Sequence, residues 1–132
     1  MIKGIQSPIR LDELNPDLKR VILRAAQGRD IIVIEGHRGE KKQNEYFYQG
    51  KSKVKWPDGK HNTIPSEAVD IAPYPLDWND IDSFIDLAVD VRKAAVLEGV
   101  PIRWGGDWDG DGDLKDQKFN DLVHYEILRR TA

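Results

Sequence analysis

Leu18, Val21, Ile22 and Ala25 recur at the three- and four-residue spacing that lines one face of a helix. The residues before them announce a start: Asn15 can cap, Pro16 suits the first helical position, and Asp17 complements the positive end of the helix dipole. Gly28 is expected to stop this helix in a left-handed conformation. Ile31-Ile32-Val33-Ile34 is too short for a helix and wholly β-branched, which predicts a buried strand. Gly36-His37-Arg38-Gly39 closes it. Glu40 to Gln49 predicts a second helix ended by Gly50, with the aromatics Tyr46, Phe47 and Tyr48 expected to pack. Lys51 to Pro65 is polar and carries the turn signal Pro57-Asp58-Gly59, so it reads as a long loop, a kind of segment that often carries function in a small domain.

Ala68-Val69-Asp70-Ile71-Ala72 reads as a second strand bounded by Pro73 and Pro75. Ile81, Phe84, Ile85, Ala88, Val91 and Ala95 form an apolar stripe that predicts a third and longest helix from about Asn79 to Glu98, stopped by Gly99. Ile102-Arg103-Trp104 predicts a short strand, Gly105 to Asp121 a Gly/Asp-rich loop, and Val123 to Leu128 a last strand. Helices and strands alternate without the regular rhythm of a doubly wound sheet. The expected fold is therefore α+β, a small antiparallel-rich sheet with helices packed on one face. No repeat, low-complexity tract or Pro/Ser-rich linker interrupts the 132 residues, so residues 1–132 are read as one domain.

Composition narrows the chemistry. The absence of cysteine excludes disulfide scaffolds, thiolate zinc fingers, iron–sulfur clusters and cysteine nucleophiles, so any metal must be held by His, Asp or Glu. A net charge of −3, from 20 basic and 23 acidic residues, argues against broad nucleic-acid binding. No run approaches the roughly 20 apolar residues of a membrane span, and the first eight residues lack the apolar stretch of a secretory signal. The expectation is a protein made in the cytoplasm that binds no nucleic acid and does not insert into membranes.

With three histidines in the chain, each one counts. His61, Asp70 and His124 together would supply two imidazoles and a carboxylate, the inventory of a catalytic zinc site that keeps a fourth position for water. Asp70 interrupts an otherwise apolar strand, and a buried carboxylate is costly unless paired or bound to metal. The plainer alternative is a hydrogen-bonded structural histidine and an Asp70 paired with Lys or Arg.

The segment from His61 to Pro73, with the later Asp121-x-x-His124 and the preceding Gly36-His37-Arg38, resembles the zinc peptidases of the D-alanyl-D-alanine carboxypeptidase and dipeptidase superfamily. More narrowly, Lys60-His61, Ala68-Val69-Asp70-Ile71-Ala72-Pro73-Tyr74, Asp77-Trp78-Asn79-Asp80 and Trp104-Gly105-Gly106-Asp107-Trp108 resemble the L-alanyl-D-glutamate peptidases that tailed phages use as endolysins. The resemblance implies that His61, Asp70 and His124 bind zinc and that Asp121 is the general base. It also implies that Arg38 holds the substrate carbonyl or the developing oxyanion, the bland alternative being a surface salt bridge. His37 has no family role and is read as structural. The chain departs from the family pattern in three places: the spacer before Asp70 is two residues longer, Ser66 stands where glycine is usual, and Gly59 stands where Ser-x-His places a serine. In the dipeptidases that serine helps bind the substrate's terminal carboxylate. Ser52 is a candidate substitute donor.

Asp107-Trp108-Asp109-Gly110-Asp111-Gly112-Asp113 begins like a calcium loop, but Lys115 and Lys118 occupy later ligand positions, so it is no ordinary EF-hand. Asp109, Asp111 and Asp113 are candidate calcium ligands, a reading that the resemblance to phage endolysins also prompts. The reading as a whole is a zinc-dependent, monomeric endopeptidase acting on the peptide stem of bacterial peptidoglycan. It would accumulate in the host cytoplasm and reach the wall after a separate protein permeabilises the membrane. The alternatives are a D-alanyl-D-alanine carboxypeptidase or dipeptidase, a non-catalytic wall-binding or calcium-binding module, and, last, a metal-dependent nuclease.

Overall fold

The structure is a computed structural model that describes residues 4–6, 8–52, 54–107 and 121–128, with residues 8–10 described by backbone alone. Helix α1 spans Pro16–Ala25, and the Asn15 side chain accepts the Asp17 N–H at 2.9 Å, as its sequence predicts. Its end differs from expectation. Ala26 caps it in a right-handed conformation, with the Ala26 N–H bonded to the Ile22 carbonyl at 3.0 Å and the Gln27 N–H to the Arg24 carbonyl at 3.2 Å. This tightened turn satisfies the last carbonyls without a left-handed residue, and positive φ falls on Gly4, Gly50 and Gly99 rather than Gly28.

Helix α2 spans Glu40–Tyr48 and α3 spans Ile81–Glu98. Asp80 caps α3 by accepting the Ser83 N–H at 3.3 Å, and Gly99 ends it at φ +70°. The buried stripe of α3 is Phe84, Leu87, Ala88, Val91, Ala94 and Ala95. Ile81, expected on that stripe, is the first residue of the helix and is 48% exposed.

Five strands, β1 (Ile5–Gln6), β2 (Ile31–Glu35), β3 (Ala68–Pro73), β4 (Ile102–Gly105) and β5 (Asp121–Ile127), form one sheet in the order β1-β2-β3-β5-β4. β1 runs parallel to β2 and every other pairing is antiparallel, which gives the α+β, antiparallel-rich sheet expected from sequence. β1 was not foreseen; the Ile31 N–H donates to the Gly4 carbonyl at 2.7 Å, and a Cβ on Gly4 would collide with the Ala26 carbonyl. β3 is central and buried from Ala68 to Ala72. Val69 and Ile71 share one face with Ile31, Val33, Trp104 and Tyr125, and α1 and α3 close over that face to make the core. α2 stays outside this layer and buries only Gln43.

The period of two then puts Asp70, His124 and Glu126 on the opposite face, beside Glu35. The helices support one side of the sheet and leave the other for chemistry. At the rim, Glu98 of α3 holds Arg24 at 2.6 Å and Arg20 at 3.1 Å on α1. Hydrogen bonds from Arg24 and Arg20 keep the Glu98 carboxyl below its ordinary range. A depressed carboxyl stabilises the fold at neutral pH and loses that contribution as the pH falls through its folded-state pKa. Glu98→Gln is therefore expected to lower the melting temperature slightly at pH 7, since the pair is solvent-screened. The difference from wild type should shrink as thermal melts are repeated down through the carboxylate range; an equal difference at every pH would overturn the assignment.

Candidate metal and catalytic site

His61 lies on a one-turn 3-10 helix, Lys60–Asn62, that closes the long polar loop; Asp70 sits in mid-β3, and His124 is its direct cross-strand partner on β5. The three polar atoms form a near-equilateral triangle: His61 Nε2 to Asp70 Oδ1 3.1 Å, His61 Nε2 to His124 Nδ1 3.2 Å, and His124 Nδ1 to Asp70 Oδ1 3.2 Å. All three residues are buried. Both imidazoles are oriented from behind. His61 Nδ1 donates to the Gly36 carbonyl at 2.6 Å, and His124 Nε2 donates to Glu126 Oε1 at 2.8 Å. These outer bonds leave His61 Nε2 and His124 Nδ1 as lone pairs that face each other and an acceptor oxygen.

Three converging lone pairs in a buried site repel unless a cation lies among them. Zinc bonded at about 2.0–2.1 Å to three corners of a tetrahedron separates those corners by about 3.3–3.4 Å, so the triangle fits such an ion. Without metal, protons take the same part. Burial alone would raise the Asp70 carboxyl, but His61 and His124 outweigh it and hold it far below the carboxylate range. Burial alone would lower His124, but hydrogen bonds to Asp70 and Glu126 raise it to about 9. Glu126 is held down at about 2 against the cost of burial by His124, Lys60 and Arg103, with Lys60 Nζ at 3.1 Å and Arg103 Nη2 at 3.0 Å.

Asp121 is the first residue of β5, where the sequence reading has loop, and it pairs with Gly105 at a bulge in which a Cβ on Gly105 would collide with the Asp121 carbonyl. Burial, and then the charge of Asp70, push its carboxyl up. With Trp78, Phe84, Leu122 and Val123 it lines an open groove of about 230 Å³, walled by the Trp78 and Phe84 rings stacked 5.8 Å apart. Arg38 is buried, which removes the surface salt bridge as an alternative. It pairs with Glu35, donates to Gln43 Oε1 at 3.0 Å, approaches Asp70 Oδ2 at 3.6 Å and lies 4.6 Å over the Tyr46 ring. His37 donates its backbone N–H to Glu13 at 3.0 Å and is not a member of the triangle.

Over residues 3–128 the sequence matches the family described as Phage L-alanyl-D-glutamate peptidase. The chain belongs to that family. It is 30% identical, over 119 residues and 86% of each chain, to the L-alanyl-D-glutamate peptidase of Escherichia phage T5. Its fold superposes on the crystal structure of the Serratia marcescens L-Ala D-Glu endopeptidase ChiX with a TM-score of 0.76 and 28% identity, covering 96% of this chain and 91% of that one.

Within this phage L-alanyl-D-glutamate peptidase family member, the departures from the superfamily pattern have physical reasons. A Cβ on Gly59 would sit 2.6 Å from Asn62 Oδ1, which accepts the Gly59 N–H at 2.8 Å while the Asn62 amide donates to the Arg38 carbonyl at 2.9 Å. Asn62 thus ties the Gly59 backbone to the Arg38 backbone. The Ser52 hydroxyl accepts from Gln43 Nε2 at 2.9 Å, so it braces Arg38 through Gln43. Ser66 is buried and anchored, its N–H on the Glu13 carbonyl at 2.7 Å and its carbonyl on the Asn15 N–H at 2.8 Å, while Ile64 in the lengthened spacer is pushed out to 84% exposure. Sequence reasoning passed over Glu35, Gln43, Asn62 and Glu126. Glu126 alone had a signal, since it lies two residues after His124 and so on the same strand face. Asp109, Asp111 and Asp113 lie outside the described residues, and the calcium expectation rests on sequence alone.

Proposed function

We propose that the protein is a zinc-dependent peptidase that hydrolyses the L-alanyl-D-glutamate bond in the peptide stem of bacterial peptidoglycan, as a phage or prophage endolysin. The observation that carries this reading is the triangle of lone pairs on His61, Asp70 and His124, with the raised carboxyl of Asp121 beside it, in a member of this family. When bound, zinc supplies Lewis-acid polarisation of the scissile carbonyl and makes water acidic near neutral pH. Asp121 takes a proton from the attacking water as the C–O bond forms and gives it to the leaving amine as the C–N bond breaks. Arg38 holds the outer oxygen of Asp70 and presents its guanidinium toward the carbonyl oxygen that gains charge. Glu126 and the Gly36 carbonyl keep the two imidazoles in the tautomers that leave nitrogen lone pairs on the site.

His61, Asp70 and His124 complete the triangle within one chain, and the protein is taken to act as a monomer. No described helix is long and apolar enough to cross a membrane. Accumulation in the host cytoplasm, with access to the wall after the membrane is permeabilised by another protein, completes the endolysin reading. Mass spectrometry of digested peptidoglycan, with and without chelator, tests it. Chelator-sensitive fragments with a new D-glutamate amino terminus are expected. Loss of terminal D-alanine instead would move the assignment to a carboxypeptidase, and no cleavage with zinc present would overturn it.

A further inference from the structure

The segment from Glu40 to Lys60 carries six lysines against three acids, although the whole chain is net negative. Much of this charge gathers on one ring. Around Tyr46 stand the Arg38 guanidinium at 4.6 Å, Lys51 Nζ at 5.6 Å and Lys42 Nζ at 5.7 Å, while Lys55 Nζ lies 5.0 Å from the Tyr48 ring. Glu35 offsets two of these cations, through Arg38 and through Lys42 at 2.7 Å, and Lys51 has no ion pair among the described residues. Like charges held this close repel, so the cluster is poised for an anion from outside. Arg38 connects it to the reaction centre, because the same guanidinium approaches Asp70 Oδ2 at 3.6 Å. Across β3, the flank beside Asp121 has the opposite character, with Trp78, Phe84, Leu122 and Val123 lining its groove.

The two halves of the scissile bond differ in the same sense. The alanyl side offers a methyl group and no charge. A D-glutamate joined onward through its γ-carboxyl keeps an α-carboxylate two bonds from the scissile nitrogen, and a diaminopimelate at the next position adds another. Gly59 stands where the superfamily has the serine that would meet a carboxylate, so that position offers no hydroxyl here. We propose that Arg38, Lys42 and Lys51 around Tyr46 form the subsite for stem-peptide carboxylates on the leaving side of the scissile bond, with the alanyl side in the Trp78 groove. The proposal rests on the peptidase reading and deepens it.

Stem peptides with the D-glutamate α-carboxylate free or amidated, and with diaminopimelate or lysine at the next position, provide the test. Wild type should prefer the fully carboxylated peptide by about tenfold in kcat/KM, mostly through KM, and the preference should weaken with salt. In the Lys42→Gln/Lys51→Gln double variant the ratio should fall toward one, while Lys93→Gln, a control on the outer face of α3, keeps it. The arm that loses the preference identifies which carboxylate is held. Calorimetry of the D-glutamyl product, free against amidated, reads the same discrimination without turnover. A wild type with no preference in either measurement, or a double variant that keeps it, would overturn the subsite. Discrimination in binding without cleavage of any peptide would overturn the peptidase reading and leave the subsite standing.

Discussion

Asp121→Asn is expected to lower kcat on the stem peptide by about 10²- to 10⁴-fold while zinc still binds, because the amide keeps the shape of the carboxylate and cannot take a proton. The backbone at this position pairs with Gly105 whatever the side chain, so the strand start and the His124 register stay in place. Stability should hold or rise slightly, since the substitution removes a buried carboxyl that Asp70 repels. A general base acts only when ionised, so the acid limb of kcat/KM in wild type should report this carboxyl, which burial and Asp70 raise in the metal-free protein and which a bound zinc would lower. In Asp121→Asn that limb should disappear. Steady-state kinetics across pH on both proteins, with zinc content measured alongside, would settle the role; a variant with wild-type kcat would remove Asp121 from the chemistry and leave it a strand-start carboxylate.

The elements that could be read in the sequence are those whose signals are local. Asn15-Pro16-Asp17 and the apolar spacing of α1 need only nearest neighbours, and so do the stripe and Gly99 stop of α3. Asp70 was legible for the opposite reason: one acid in an apolar strand conflicts with its surroundings, and such conflicts mark function. What stayed hidden depends on contacts distant in sequence. β1 is two residues long, too short to show any period, and it exists because β2 offers it an edge. The aromatics of α2 follow no core pattern, and the structure explains why: Tyr46 carries cations instead of packing under the sheet, and Tyr48 is 71% exposed. Gln43 and Asn62, which tie Arg38 in place, are ordinary polar residues until the helix and the loop meet. The resemblance to a family supplied residue roles that spacing alone left open, and the structure adds which neighbours hold those residues.

Saturating zinc should raise the melting temperature by on the order of 10–20 °C over the chelated protein, and chelation should abolish hydrolysis. A ligand present at about a thousand times its Kd stabilises the fold by about 4 kcal/mol, and each kcal/mol moves the midpoint of a domain this size by roughly 3–5 °C. The site is preformed for this gain. Two imidazoles are already oriented by their outer hydrogen bonds and a carboxylate completes the triangle, so little ordering is needed when the ion enters. Zinc must displace the proton that otherwise holds His124 charged up to about pH 9. The zinc-induced rise should therefore grow between pH 6 and pH 8, where each step upward leaves less proton to displace. His124→Ala deletes one ligand together with the group that neutralises Asp70 and Glu126. Its melting temperature should fall even without zinc, and zinc should then raise it by little at any pH. Scanning calorimetry with and without zinc on both proteins separates the two effects. An equal zinc-induced rise in His124→Ala would place the ion elsewhere and break the link between the triangle and the reaction.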